Sequence, residues 1–152
     1  MDSLLAAGPA PAEGEIDSRN DANCNQLRRW REVELTSSVK PGERSGASSV
    51  IYQEALYVFG GYGGSGRLDD IYRFDFPSRC WSRLDVQGTV PAGRENNGAV
   101  VHGSKMYLFG GYSGFTWLND FHSFNFETST WQAVPSGHKG AVPSTRFGYV
   151  SS

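Results

Sequence analysis

This 152-residue chain has little of what cross-links a protein, carries it across a membrane or attracts it to nucleic acid. It holds only two cysteines, Cys24 and Cys80, far apart and in unlike contexts. That excludes a disulfide scaffold and the paired spacing of a zinc site, and reads as two unpaired thiols in a reducing compartment. No apolar run approaches the ~20 residues of a membrane span. The stretch Leu4-Leu5-Ala6-Ala7 is too short for a secretory core, Asp2 stands where positive charge is expected, and no Asn-x-Ser/Thr acceptor occurs. The net charge is −2 and Arg28-Arg29-Trp30-Arg31 is the lone basic cluster, so no nucleic-acid or membrane partner is expected. A cytoplasmic location is the expectation. What abounds is glycine, 19 residues and nearly twice the usual ~7%, with nine Phe, seven Tyr and four Trp. Such a composition points to a β-protein with many tight turns.

The chain repeats itself. Trp30, Trp81 and Trp131 recur at spacings of 51 and 50, and Gly60-Gly61, Asp70 and Phe74 return as Gly110-Gly111, Asp120 and Phe124. Ten of the 21 positions in 57–77 are identical in 107–127. Each unit reads as four short strands. Strand A covers 47–52 or 98–102, and strand B covers 56–59 or 106–109 and stops at a glycine pair. Paired glycine suits a backbone that needs positive φ or comes close to a neighbour. Strand C covers 70–76 or 120–126, with Tyr72, Phe74 and Phe76, then His122, Phe124 and Phe126, at period two. Strand D opens with Trp81 or Trp131. Strand B is apolar at consecutive positions, which calls for cover on both faces.

A unit of about 50 residues with an Arg, an apolar strand, a Gly-Gly pair, an aromatic-rich strand and a spaced Trp resembles the kelch repeat. The resemblance covers about 30–152 and implies one four-stranded propeller blade per repeat. The fold class expected is therefore all-β, a partial kelch β-propeller of two complete four-stranded blades plus flanking single strands. Residues 1–26 read as a disordered leader and 27–152 as the partial propeller. Within it, 30–35 is a strand D, 44–86 and 94–135 are blades, and 146–151 is a lone strand A. Propellers use 4–8 blades, so two cannot close a ring. The chain is expected to be part of a longer protein or to be completed by other copies, and in isolation to self-associate through apolar outer faces and an exposed edge strand.

Positions repeated in every blade are needed by the blade, and those that diverge at loop tips are free to recognise something. Arg44, Arg94 and Arg146 each precede a strand A. They serve either a bond to a neighbouring blade or loop, or a basic mouth for acidic peptides. The B–C loops diverge, Tyr62 to Arg67 in the first unit and Tyr112 to Trp117 in the second. Phe115 and Trp117 either anchor a partner or fold back over their own blade. With Asn96 in the D–A linker, the partner-binding set is Arg44, Tyr62, Arg67, Arg94, Asn96, Tyr112, Phe115, Trp117 and Arg146.

Enzyme signals are weak. Gly61 to Gly66 matches G-x-G-x-x-G, but a strand pattern follows where a dinucleotide site needs a helix, and the sister loop loses the motif. His102, His122 and His138 lack metal-ligand spacing, so no metal or cofactor is expected. The reading is a non-enzymatic module that binds another protein through the B–C and D–A loops. Kelch proteins commonly bind partners through these loops, and many are substrate receptors of cullin-type ubiquitin ligases through a linked BTB domain, which is not present in these residues. The blades look somewhat like those of the leucine-zipper-like regulator group. The alternatives are the first blades of an oxidase-type catalytic propeller, or a scaffold that binds actin or a small GTPase.

Overall fold

The two expected units become two sheets, each built on four antiparallel strands. The computed structural model describes residues 31–135 and 144–145, and the chain divides into the units Met1–Val33 and Glu34–Ser152. Of the former only 31–33 are described, without regular secondary structure. In the latter, the described residues contain no helix. The first blade is β1 (Ser48–Tyr52), β2 (Ala55–Phe59), β3 (Ile71–Asp75) and β4 (Cys80–Arg83), paired in chain order. The second is β6 (Gly98–His102), β7 (Lys105–Tyr112), β8 (Trp117–Asn125) and β9 (Thr130–Ala133), with β5 (Gln87–Gly88) added beside β9.

Short side chains close the turns. Asp75 accepts from the Ser78 backbone N–H at 2.9 Å, and Asn125 at the matching place accepts from those of Glu127 and Thr128 at 2.8 and 3.2 Å. The glycine pairs answer to both demands anticipated for them. Gly60 and Gly61 have φ of 69° and 97°, and a Cβ on Gly60 would lie 2.6 Å from the Arg94 carbonyl oxygen of the next blade.

Strand alternation gives each sheet two apolar faces, and the blades join through one from each. Val50, Tyr57, Phe59 and Ile71 of the first pack with Met106, Leu108, Phe124, Phe126 and Trp131 of the second in one buried cluster. Ring contacts carry the junction: Tyr52 stacks on Phe126 at 4.2 Å, Tyr57 meets Phe126 at 4.6 Å, and Phe59 meets Trp131 at 5.1 Å. Trp131 and Phe124 are fully buried there.

Three details depart from the expected strands. The second sheet has five strands, because the linker leaving the first blade hooks onto the second: Gln87–Gly88 runs parallel to Thr130 and Trp131. The same hook precedes the first blade, where the Thr36 N–H donates to the Arg79 carbonyl at 3.1 Å, as Gln87 does to Ser129 at 3.1 Å. Second, β7 does not stop at its glycine pair. It bulges between Phe109 and Gly111 and runs on to pair Tyr112 with Trp117, so β8 begins earlier than expected. Third, residues 31–35 form no strand, so the described part of the expected strand D at 30–35 is irregular. The expected leader at 1–26 and strand A at 146–151 lie outside the described residues.

Candidate functional site: the loop rim of the two blades

Arg44 and Arg94 are locks within the fold. Each sends a guanidinium to an Asp of its own blade, just before β3 or within β8: Arg94 to Asp120 at 2.6 and 2.8 Å, Arg44 to Asp70 at 2.6 and 3.3 Å. Each also donates to the carbonyl of the first glycine of the pair, Gly110 at 3.0 Å or Gly60 at 3.1 Å. Arg94 is 0% exposed, and its backbone joins the other blade, accepting from the Gly61 N–H at 2.8 Å and donating to the Leu68 carbonyl at 3.2 Å. It pins the blades together and leaves nothing to a partner. Burial pushes the Asp120 carboxyl up, but hydrogen bonds and charge from Arg94, with a smaller share from His122, more than reverse this and hold it below its ordinary 3.8. The third strands differ in one respect. Tyr72 lies under the Arg44 guanidinium at 5.2 Å, whereas His122 at the matching place shares a 3.0 Å hydrogen bond with Asp120.

The two B–C loops meet at one rim. In each, the tyrosine after the glycine pair bridges to the residue five positions on, Arg67 in the first blade and Trp117 in the second. Both tyrosine hydroxyls close their own loop, Tyr62 on the Gly64 carbonyl and Tyr112 on that of Gly114 at 2.9 Å. Arg67 then reaches across to the second blade. Its guanidinium lies 4.9 Å from the Tyr62 ring and 5.0 Å from the Tyr112 ring, and Tyr112 packs on Trp117 at 4.4 Å. Tyr62, Arg67, Tyr112 and Trp117 thus form one stack along the rim. Glu95, absent from the expected set, holds the guanidinium edge at 2.6 Å. The sequence marked it only as part of the diverging D–A linker Arg94-Glu95-Asn96-Asn97.

The three described arginines of the rim are all ion-paired: Arg44, Arg67 and Arg94 are each bound to a carboxylate, Asp70, Glu95 and Asp120 respectively. Asn96 is exposed; its backbone, with φ of 56°, donates to the Gly46 carbonyl at 2.7 Å. Arg146 lies outside the described residues. Phe115 does not fold back: it is 95% exposed at the tip of a hairpin closed by the Ser113 N–H on the Thr116 carbonyl at 3.1 Å. Trp117 does both, resting on Tyr112 with 42% of its surface open. No group of three metal-ligating side chains and no helix long and apolar enough to cross a membrane occurs among the described residues.

Stacked antiparallel sheets, hooked together by their linkers and carrying variable loops on one rim, define the β-propeller class of repeat protein. The chain belongs to the kelch-repeat family: residues 13–152 match the KLHDC2/KLHL20/DRC7 Kelch-repeats domain. It is 38% identical over 68 residues to leucine-zipper-like transcriptional regulator 1 of Homo sapiens, covering 45% of this chain and 8% of that protein. Host cell factor 2 of Homo sapiens is 37% identical over 68 residues, 41% of this chain and 8% of that protein. Kelch domain-containing protein 3 of Bos taurus is 38% identical over 98 residues, 57% of this chain and 25% of that protein. The chain therefore spans a minor part of the length of these relatives.

Proposed function

We propose that this chain is a non-enzymatic recognition module that binds another protein through the rim of its second blade, with Phe115 and Trp117 as the anchors. One observation carries the reading: a nearly fully exposed Phe115 stands on a hairpin whose base is fixed by the Tyr62–Arg67–Tyr112–Trp117 stack. An aromatic side chain held rigidly in water is poised to bury its area in a partner at small entropic cost. Because the nearby guanidiniums are already paired, the surface complementary to it is apolar rather than acidic. Similarity to leucine-zipper-like transcriptional regulator 1 supports a finer reading, that the bound protein is a substrate presented to a cullin-type ubiquitin ligase in the cytoplasm. The outer faces of the blade pair also support self-association of the chain.

The test is site-specific photo-crosslinking in cells with a benzophenone amino acid at position 115, followed by assay of the captured protein. The expected result is a discrete adduct that Trp117→Ala removes, whose protein component accumulates when cullin activation is blocked. A probe at 115 that labels nothing, or an adduct indifferent to Trp117→Ala, overturns the recognition face. An adduct whose level ignores cullin activity overturns the ligase reading alone.

A further inference from the structure

The duplication supplies an internal control for the loop that carries Phe115. Gly64 and Gly114 hold the same place in their B–C loops. Both have positive φ, 89° and 100°, and the carbonyl of each accepts from the hydroxyl of its own loop's tyrosine. They differ in surroundings. A Cβ on Gly64 would meet nothing within 4 Å, whereas one on Gly114 would lie 2.9 Å from Arg67 Nη1 and 3.3 Å from its Cδ and Cζ. Backbone conformation alone accounts for the glycine at 64. At 114 a close approach by a side chain of the other blade is added.

That approach uses the corner of the guanidinium left over from its other contacts. Nε and Nη2 donate to Glu95 Oε1 at 3.1 and 2.6 Å, the group lies over the Tyr62 and Tyr112 rings, and Nη1 bears on Gly114. The hairpin's own bonds set its shape, since Ser113 Oγ accepts from the Phe115 and Thr116 N–H groups at 3.4 and 3.2 Å. They do not tie its tip to the first blade. We infer that Gly114 is a positioning residue for the anchor: lacking a side chain, it seats the hairpin on Arg67, and the seat fixes the direction in which Phe115 points. The consequence for binding rests on the recognition reading above, whereas the seat itself rests on geometry alone. A methyl group at 114 displaces the guanidinium, whose far end can swing aside, so the fold survives while the hairpin loses its support. The first blade thereby helps to determine what the second blade recognises.

Nitrogen-15 relaxation on the full chain, without any partner, reads the seat directly. The Phe115 and Thr116 amides are expected at an order parameter of about 0.85 in wild type, below about 0.6 in Gly114→Ala and in Arg67→Ala, and at the wild-type value in Gly64→Ala. Photo-crosslinking from position 115 should fall severalfold in the first two variants and hold in the third. Wild-type order at Phe115 in either of the first two overturns the seat. So does equal loosening there in Gly64→Ala, because backbone strain shared by the two glycines would then suffice. If Gly114→Ala does not fold, Arg67→Ala decides alone. Loosening without a drop in capture overturns the positioning role. A hairpin that loosens as expected while the wild-type probe at 115 captures nothing overturns the recognition reading and leaves the seat standing.

Discussion

At the residue scale, Arg94 shows how one side chain serves two sheets: its backbone is held by the first blade and its guanidinium by Asp120 and the Gly110 carbonyl of the second. Replacing it removes the buried cation and strands a carboxylate. Arg94→Ala is expected to lower stability by about 3 kcal/mol in urea denaturation. Arg94→Lys should recover only a minor part, because an ammonium cannot make the planar two-oxygen contact. The same pair sets an acid limit. With its folded-state pKa below 3.8, Asp120 binds a proton more weakly folded than unfolded, so its contribution is complete at higher pH and fades as pH falls from about 4 through the folded value. Asp75, lowered by its hydrogen bonds from Ser78, acts in the same direction. Thermal melts should show wild type losing its advantage over Asp120→Asn below about pH 4. A difference between them that is independent of pH would contradict the assignment.

At the element scale, the instructive comparisons are between equivalent strands. Trp131 on β9 and Trp81 on β4 occupy the same place in the repeat, but only Trp131 is sealed beneath a neighbouring sheet. Trp131→Ala is expected to cost about 3–5 kcal/mol. Trp81→Ala should cost roughly half as much, since its ring already meets solvent. Equal costs from denaturant midpoints would mean that the faces are not arranged as described. These strands were legible in the sequence because alternating aromatics and paired glycines are local signals. The Tyr72 and His122 positions and the turn residues fell where the repeat put them, whereas β8 opens at Trp117, three residues before Asp120. The hook Gln87–Gly88 was not legible: two residues without apolar alternation pair with a strand more than forty positions away, so only the blade packing reveals it. Nor was the continuation of β7 past Gly110-Gly111, because a bulge absorbs the register shift that the glycines impose. At the rim, sequence divergence singled out Arg67, Phe115 and Trp117. It could not distinguish an arginine awaiting an acidic peptide from one already held by Glu95.

At the scale of the whole molecule, the account rests on the blades sharing a single core, with Phe59, Tyr57 and Tyr52 of one set against Trp131 and Phe126 of the other. Neither sheet buries its apolar face alone, so they should open together. The rim depends on the same rigidity, since Arg67 crosses from one blade to Tyr112 and Glu95 of the other. Arg67→Ala should therefore weaken partner capture through Phe115 severalfold while lowering stability by only about 1 kcal/mol or less, the value of a partly exposed ion pair and cation–π contact. Native-state hydrogen exchange tests the shared core most directly. The central amides of β2 in the first blade and of β8 in the second are expected to exchange through one opening with the same free energy, and Trp131→Ala to lower both equally. Separate free energies for the two strands, or a Trp131→Ala effect confined to β8, would contradict it.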